Sequence, residues 1–129
     1  MKKLKKDWPD AGKSEKQIQN EVFKVLSSFS SSLGVFRNNV GHWSDGVSYV
    51  QYGLAKGSPD LVCILKGSIF VGIECKAING KETKEQENWR KLFCERLGIY
   101  HILAKGNSEQ SAATIVFESI QKIIKERSL

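Results

Sequence analysis

Residues 57–76 read GSPDLVCILKGSIFVGIECK and predict a β-hairpin around which the rest of the chain is organised. Two runs rich in Val, Ile, Leu and Phe flank a short polar turn that contains Gly67. Each run carries charge at the end away from the turn: Asp60 opens the first run, and Glu74 and Lys76 close the second. These three charged residues are the first candidates for chemistry.

The alternation of side chains along a strand gives the second run one charged face. Glu74 and Lys76 are two positions apart and therefore point the same way, whereas Ile73, Cys75 and Ala77 point to the opposite face, toward a core. The end of this strand is therefore expected to be buried on one side and reactive on the other.

The length of the turn decides whether Asp60 meets Glu74. If residues 66–68 form a three-residue loop, Leu65 faces Ile69, and Asp60 lies directly across from Glu74 with Cβ atoms about 4.5–5.5 Å apart. A two-residue loop would shift the register by one and send the two carboxylates to opposite faces. We therefore predict the three-residue loop, or a bulge with the same effect.

Two carboxylates this close predict a divalent metal ion. They repel each other, each is costly to leave unpaired, and a cation removes both problems. Oxygen ligands without thiolate or imidazole suit Mg²⁺ or Mn²⁺, and Lys76 could hold a phosphate or an attacking water. The alternative is a surface hairpin in which Asp60, Glu74 and Lys76 form an ordinary ion cluster, and spacing alone does not separate the two interpretations.

The same residues resemble a known signature. Pro59-Asp60 followed by Glu74-Cys75-Lys76 resembles the PD-(D/E)xK nuclease superfamily. The flanks look like the virus-type replication-repair nuclease (VRR-NUC) domain, which is related to Holliday-junction resolvases, and the likeness covers the chain from Ser14 to its end. The flanking positions that carry this likeness are Gly57, Ser58, Leu61, Ile73, Gly80, Thr83 and Gln86.

The resemblance implies a fold and an activity. The fold would be a single α/β domain over residues 14–129, a restriction-endonuclease-like core of order αβββαβ with a mixed sheet flanked by helices, and the order of predicted elements agrees with it. The activity would be a Mg²⁺- or Mn²⁺-dependent endodeoxyribonuclease that hydrolyses phosphodiester bonds. The implied catalytic residues are Lys76, Asp60, Glu74 and Gln86. The implied metal ligands are Asp60, Glu74, the backbone carbonyl of Cys75, and Glu15, the last directly or through water.

Two of these residues also have simpler interpretations. Glu15 follows Ser14 at the start of a predicted amphipathic helix, where a carboxylate is favoured by the helix dipole. Gln86 stands three residues after Thr83 in a T-x-x-Q capping box, as Gln17 does after Ser14. A capping role and an active-site role are compatible for Gln86.

Charge and composition favour a nucleic-acid partner. The chain has 129 residues, enough for one domain, with a net charge of +6 and a pI of about 9.3. The resemblance implies branched DNA, such as Holliday junctions, flaps or splayed arms, a homodimer, and an origin in a phage or prophage. The predicted DNA contacts are Arg37, Asn38, Lys56, Lys81 and Lys84. RNA as a substrate remains open, because nothing in the sequence reads a 2′-hydroxyl.

The cysteines and the hydrophobic runs predict the cellular compartment. Three cysteines in apolar surroundings, Cys63, Cys75 and Cys94, argue for a reducing compartment and against a disulfide framework. No run approaches membrane-spanning length, and no signal peptide is apparent. We expect a cytoplasmic protein, in a bacterial or an infected host cell, without a membrane partner.

The remaining segments give coarser predictions. Residues 1–13 form a loosely ordered basic arm, and the first helix ends near Leu33-Gly34, before a strand over residues 35–40. The segment 41–56 is either a hairpin or a mobile loop over the cleft. A near-continuous apolar run over residues 99–104 predicts a central strand, and Ser108 starts the last helix.

Two other classes of function compete with the nuclease. One is a catalytically silent nucleic-acid-binding module on the same fold. The other is a small interaction protein whose hairpin acids form only surface ion pairs, which predicts neither metal binding nor salt-sensitive affinity for DNA.

Overall fold

A computed structural model describes residues 3–129, apart from the side chain of His42, so that the first two residues of the predicted arm lie outside it. The helices are α1 (Glu15–Ser27), α2 (Lys84–Arg90), which a π-helical segment (Lys91–Arg96) continues, and α3 (Ala112–Glu126), after a short 3-10 turn (Lys5–Asp7). The strands are β1 (Leu33–Arg37), β2 (Gly41–Ser44), β3 (Tyr49–Tyr52), β4 (Leu61–Leu65), β5 (Ile69–Lys76) and β6 (Tyr100–Lys105). Among the described helices, none is long and apolar enough to cross a membrane.

The chain forms one α/β domain around a mixed sheet. The strand order is β1-β4-β5-β6, in which β1, β4 and β5 are antiparallel and β6 runs parallel to β5. Strands β2 and β3 form a separate antiparallel hairpin inserted between β1 and β4. Without that insertion the order is α1-β1-β4-β5-α2-β6-α3, which agrees with the predicted order of elements. The segment 41–56, left open between hairpin and loop, contains the β2–β3 hairpin.

The predicted register of the β4–β5 hairpin is confirmed. Leu61 pairs with Ile73 and Leu65 pairs with Ile69, so that residues 66–68 form the three-residue loop. Gly67 and Ser68 both adopt positive φ, 87° and 64°, which a tight loop of this kind requires. Position 60 therefore falls opposite position 74, as the spacing predicted.

The core lies between one face of the sheet and helices α1 and α3. Helix α1 packs on β5 and on α3, and α3 packs on β6. The odd-numbered positions of β5 point into this layer, as predicted, while Glu74 and Lys76 do not belong to it. Each helix adds residues at helical spacing, among them Ile18, Val22 and Leu26 from α1 and Ala112, Val116 and Ile120 from α3. Both predicted capping boxes are formed, at Ser14 and at Thr83.

Helix α1 ends earlier than the sequence predicted. It stops at Ser27, and Leu33, predicted to end it, already belongs to β1. The hydroxyls of Ser27 and Ser28 donate to the carbonyl oxygens of Phe23 and Val25 at 2.9 and 2.5 Å. Such bonds from Ser side chains compete with continuation of the helix, so the Ser-rich stretch forms turns and the strand starts sooner.

Strand β6 is an edge strand, and the prediction that it is central was wrong. Among the described strands, β5 alone pairs with it. Ile102 and Ala104 are buried under α3, whereas Leu103, which points to the other face, is 45% exposed. Hydrophobic character along both faces therefore does not require a neighbour on both edges. His101 on this strand is half-buried, and its burial lowers its pKa.

Helix α3 starts at Ala112 rather than at Ser108. The Asn107 side chain accepts the N–H groups of Glu109 and Gln110 at 2.9 and 2.8 Å, which closes a local turn that delays the helix. Ser111 is the actual cap, because its hydroxyl accepts the N–H of Thr114 at 3.1 Å.

The N-terminal segment is held more firmly than a loose arm. Asp10 is fully buried, and its Oδ2 accepts the N–H of Ala112 at 2.7 Å, at the start of α3. The Lys13 ammonium lies 3.3 Å from Asp10 Oδ1. This buried carboxylate docks the segment onto the last helix and satisfies one of that helix's free N–H groups.

Candidate active site

The two predicted acids meet at one end of the β4–β5 hairpin. Glu74 is almost fully buried, and the register puts Asp60 across from it, just before the first residue of β4. The Asp60 carboxylate accepts the backbone N–H of Cys75 at 2.8 Å, and the Asp60 carbonyl accepts the backbone N–H of Asn38 at 2.8 Å. Asp60 is therefore held between β5 on one side and the chain leaving β1 on the other.

The chain before Asp60 departs from the hairpin ladder, which ends at the Leu61–Ile73 pair. Pro59 packs over β5 instead, where a Cβ on Gly72 would come within 2.5 Å of its ring. Beyond the ladder, the Cys75 N–H donates to the Asp60 side chain. The role of the Cys75 carbonyl as an oxygen ligand stays a prediction.

Gln86 forms the predicted capping box and also contacts one of the predicted acids. Its Oε1 accepts the Thr83 N–H at 2.8 Å and completes the box, and its Nε2 donates to Glu74 Oε1. The cap orients the side-chain amide toward Glu74, and the catalytic role of Gln86 stays a prediction. A capping glutamine thereby ties the start of α2 to the buried acid.

Lys76 lies beside the acids and is nearly as buried as Glu74. Its Nζ is 3.8 Å from Glu74 Oε1, and only 6% of the residue is exposed. The turn that follows packs over its stem: a Cβ on Gly80 would come within 3.4 Å of the Lys76 Cβ and Cδ atoms. Lys105 of β6 donates to the Gly80 carbonyl at 2.7 Å and fixes that turn. The ammonium is therefore presented to the acids from a fixed position.

Burial and mutual repulsion raise the pKa values of the two carboxyl groups in the site. Burial raises the pKa of Glu74 to about 8, and Asp60 and Glu15 add to the rise while Lys76 and Gln86 oppose it. Burial also raises the pKa of Asp60, against the Cys75 N–H and Lys76. Near neutral pH the pair therefore retains a proton, which a cation would displace.

The donor set fits a hard divalent cation in kind. Two carboxylates and a backbone carbonyl are oxygen donors of the type that Mg²⁺ and Mn²⁺ take, and the remaining positions are usually filled by water and substrate. Among the side chains that the structure describes, no group of three or more His, Cys, Asp or Glu residues could hold a metal ion. Glu15 is exposed and repels the two acids without joining such a group. It therefore stands as an outer carboxylate, and its predicted role as a direct ligand is not supported.

Arg37, the last residue of β1 and a predicted DNA contact, is engaged within the protein. Arg37 donates to Gln19 Oε1 and Asn20 Oδ1 at 3.0 and 2.9 Å, on the surface of α1. Its guanidinium lies 4.6 Å from the centre of the Phe23 ring. Arg37 is still exposed, but a phosphate there would compete with two uncharged acceptors.

Asn38 has a positioning role that the sequence did not reveal. Its Nδ2 donates to Ser58 Oγ at 2.7 Å and to the Pro59 carbonyl at 2.9 Å, and its Oδ1 accepts the Leu54 N–H at 3.1 Å. With these bonds made, the amide holds the loop that delivers Asp60. The direct DNA contact predicted for this side chain stays a prediction, and the structure adds a role in supporting the site.

The three predicted lysine contacts lie on the surface near the start of α2. Lys56 and Lys84 are paired only loosely, 3.5 Å from Glu85 and 3.8 Å from Glu87, with 73% of each lysine side chain exposed. Lys81 is exposed in the stretch between the Gly80 turn and α2. Exposed ion pairs of this kind are weak, so all three ammonium groups remain available to a polyanion.

Gly57 is a further residue whose role appears only in three dimensions. It has a φ of +88°, and a Cβ there would overlap the backbone of Glu85 in the first turn of α2. The loop before Asp60 therefore lies directly against the helix that carries Gln86. The only signal in the sequence was a glycine next to the Ser-Pro-Asp motif, which does not by itself indicate a contact with a helix.

Comparisons with known proteins do not place the chain in a family. A scan against protein-family models, a search of curated proteins and a search of solved structures each found no match.

Proposed function

We propose that this protein is a nuclease that hydrolyses phosphodiester bonds of DNA with the help of Mg²⁺ or Mn²⁺. The observation that carries the proposal is the pair of half-buried Asp60 and buried Glu74 next to a buried ammonium. Glu74 has a pKa near 8 while almost fully buried. Titratable groups so strongly perturbed by burial and by one another are typical of functional sites, and a structural ion cluster would not need to bury an excess of acid.

Each side chain has a definite task in this proposal. Asp60, Glu74 and the Cys75 carbonyl would hold the cation, which when bound lowers the pKa of water and offsets negative charge on the phosphate. Lys76 would orient the attacking water and stabilise negative charge as it develops. Gln86 would keep Glu74 in place, and Asn38 would keep the Asp60 loop in place. Glu15 would act through water.

The family we propose is VRR-NUC, within the PD-(D/E)xK superfamily. The proposal draws on the Pro59-Asp60 and Glu74-Cys75-Lys76 motifs, on the contact of Gln86 with Glu74, and on the order of helices and strands. From this resemblance we further propose branched DNA as the substrate class, a homodimer as the working state, and a cytoplasmic setting in a bacterial or phage-infected cell.

The decisive experiment is cleavage of labelled DNA by the full chain. The panel contains duplex, single strand, flap, splayed arm and four-way junction, each with Mg²⁺, Mn²⁺ or EDTA. We expect metal-dependent cutting that falls about 100-fold or more in Asp60→Asn and in Lys76→Met. Lys66→Met is the matched control, because it removes an exposed lysine at the opposite end of the same hairpin. Cutting by Asp60→Asn at the parent rate would refute the assignment.

A catalytically silent nucleic-acid-binding module is the second candidate, and one observation favours it. Glu74 already receives Gln86 and faces Lys76, and no three-residue metal group is present among the described side chains. Such a module would bind DNA equally well in EDTA and would give no heat with Mn²⁺ in calorimetry. A nuclease would bind Mn²⁺ and lose that binding in Asp60→Asn.

A further inference from the structure

The segment between β1 and β4 leaves and rejoins the sheet beside the two acids. At its start, the Asn38 N–H donates to the Asp60 carbonyl at 2.8 Å. At its end, Gly57 lies against the first turn of α2, next to Gln86. Between these points the segment forms the β2–β3 hairpin and the loop 53–56. A strand of nucleic acid with a phosphate at Asp60 would therefore pass along this segment.

The hairpin presents aromatic rings to solvent. Trp43, Tyr49 and Tyr52 are 54%, 64% and 48% exposed. The register puts Trp43 and Tyr52 on the same face, and Tyr52 lies across Gly41 so closely that no Cβ would fit there. A two-stranded hairpin has no second layer to bury such rings, so they remain accessible to a ligand.

A cavity opens where the hairpin meets the loop that follows it. Its volume is about 340 Å³, and its lining includes Gln51, Tyr52, Leu54 and Lys56. A second cavity of about 310 Å³ shares Gln51 and Lys56 with the first. A volume of this size is in the range of small-molecule sites and accommodates a nucleoside. Its lining includes an aromatic residue, Tyr52, and a lysine, Lys56.

We propose that this cavity binds an unpaired nucleotide of the substrate strand. The Tyr52 ring would stack on the base, and the Lys56 ammonium would pair with the phosphate. The inference rests on the proposed nuclease function and names its substrate class: DNA with unpaired nucleotides next to the scissile phosphate, in preference to continuous duplex.

Charge favours a nucleotide over another occupant. The chain carries a net charge of +6, and Lys56, 73% exposed in its side chain, is held only by Glu85 at 3.5 Å. A phosphate can displace such an exposed pair at little cost. The hairpin itself adds a single acid, Asp45, whose Oδ1 accepts the N–H groups of Val47 and Ser48 in the turn. An anionic ligand therefore meets little repulsion here.

The test measures binding without cleavage. Fluorescence anisotropy of labelled single-stranded, splayed-arm and duplex oligonucleotides of equal length is recorded with the full chain in EDTA. We expect tighter binding of the single strand and the splayed arm than of duplex. Tyr52→Leu, which keeps an apolar side chain over Gly41, should weaken single-strand binding about 10-fold and change duplex binding less than about 2-fold.

Two variants serve as controls on the same hairpin. Val47→Ser alters the most exposed apolar side chain, 95% exposed at the tip and outside both cavities, and should leave all affinities unchanged. Tyr52→Phe keeps the ring and should retain the preference for unpaired DNA. Circular dichroism and thermal unfolding establish that each variant is folded.

Three results would overturn the inference. The first is that Tyr52→Leu binds every oligonucleotide as the parent does, and the second is that it weakens single-strand and duplex binding equally. Light scattering would instead reveal a second copy as the occupant if the parent is a dimer that Tyr52→Leu converts to a monomer without a selective loss of single-strand binding. The cleavage panel remains independent: metal-dependent cutting by a parent that shows no Tyr52 effect ends this inference and leaves the nuclease, whereas a Tyr52 effect without cutting ends the nuclease.

Discussion

Ionisation of the buried Glu74 destabilises the folded state. The pH dependence of the free energy of unfolding therefore reports on this residue. Its pKa is raised by burial from an ordinary value of 4.5 to about 8. Between these pH values the folded chain binds more protons at Glu74 than the unfolded chain does, so that the free energy of unfolding falls as the pH rises. Stability should therefore decline from about pH 5 to about pH 8.

Replacing Glu74 with Gln should remove most of that decline. The neutral amide keeps the size of the side chain and carries no charge, so at about pH 9 the variant should be more stable than the parent by about 1–3 kcal/mol, while near pH 4 the two should be similar. Urea unfolding across the pH range measures the difference.

The control for this prediction is an acid outside the site. Glu126→Gln changes an exposed carboxylate at the end of α3, 4.0 Å from Lys122, and should leave the pH dependence of the parent in place. Saturating Mn²⁺ should also flatten the decline in the parent, because a cation at the pair removes the need for a proton. Equal pH slopes for Glu74→Gln and the parent would show that Glu74 ionises normally in the folded chain.

At the level of elements, the loop before Asp60 and the first turn of α2 act as one unit. Gly57 joins them, and its φ of +88° is matched by the same φ at Gly46 in the β2–β3 turn. A Cβ at Gly57 would overlap the Glu85 backbone, whereas a Cβ at Gly46 would meet nothing within 4 Å. The two glycines therefore separate backbone strain from steric overlap.

Substituting each glycine with Ala tests this unit. Both variants carry the cost of positive φ, about 1 kcal/mol, but Gly57→Ala must in addition displace α2 and with it Gln86. We expect Gly57→Ala to lose about 2 kcal/mol or more beyond Gly46→Ala in chemical unfolding, and to lower metal-dependent cleavage while Gly46→Ala does not. Similar losses in the two variants would mean that the loop and helix α2 are not coupled.

The same elements show what a single sequence can and cannot predict. The hairpin register followed from a period of two and a turn of three residues, so Asp60, Glu74 and Lys76 could be brought together without a structure. Both caps followed from residues three positions apart. These are local rules, and they were sufficient for the acids and for Gln86.

Features that depend on distant segments were not predictable. Nothing near Asn38 indicates that its amide will bind Ser58 and the Pro59 carbonyl, because that contact exists only once β1 and β4 are paired. The edge position of β6 depends on strand order, and hydrophobic runs do not encode strand order. The burial of Asp10 likewise requires α3, whose first residue lies far along the chain.

The whole molecule carries a net charge of +6, although the candidate site itself contains two acids. The two tendencies are compatible, because a cation at Asp60 and Glu74 would neutralise only one point, while lysines around it would follow the rest of a phosphate backbone. Of the predicted contacts, the lysines near α2 are exposed and free to do this, whereas Arg37 and Asn38 are engaged within the protein. Under the proposed function, we therefore expect DNA to bind around the start of α2.

Salt dependence locates this surface with two matched variants. Each phosphate contact contributes about −0.9 to the slope of log affinity against log salt concentration for duplex DNA. Lys81→Gln and Lys66→Gln remove the same charge, but Lys81 follows the turn after β5, whereas Lys66 lies in the hairpin loop at the far end of that strand. Measured by anisotropy in EDTA between about 50 and 200 mM salt, Lys81→Gln should reduce the slope by about one unit, and Lys66→Gln should leave it at the parent value.

Equal changes in both variants would mean that the DNA responds to total charge alone, and a larger change in Lys66→Gln would place the bound DNA at the opposite end of the sheet from the acids.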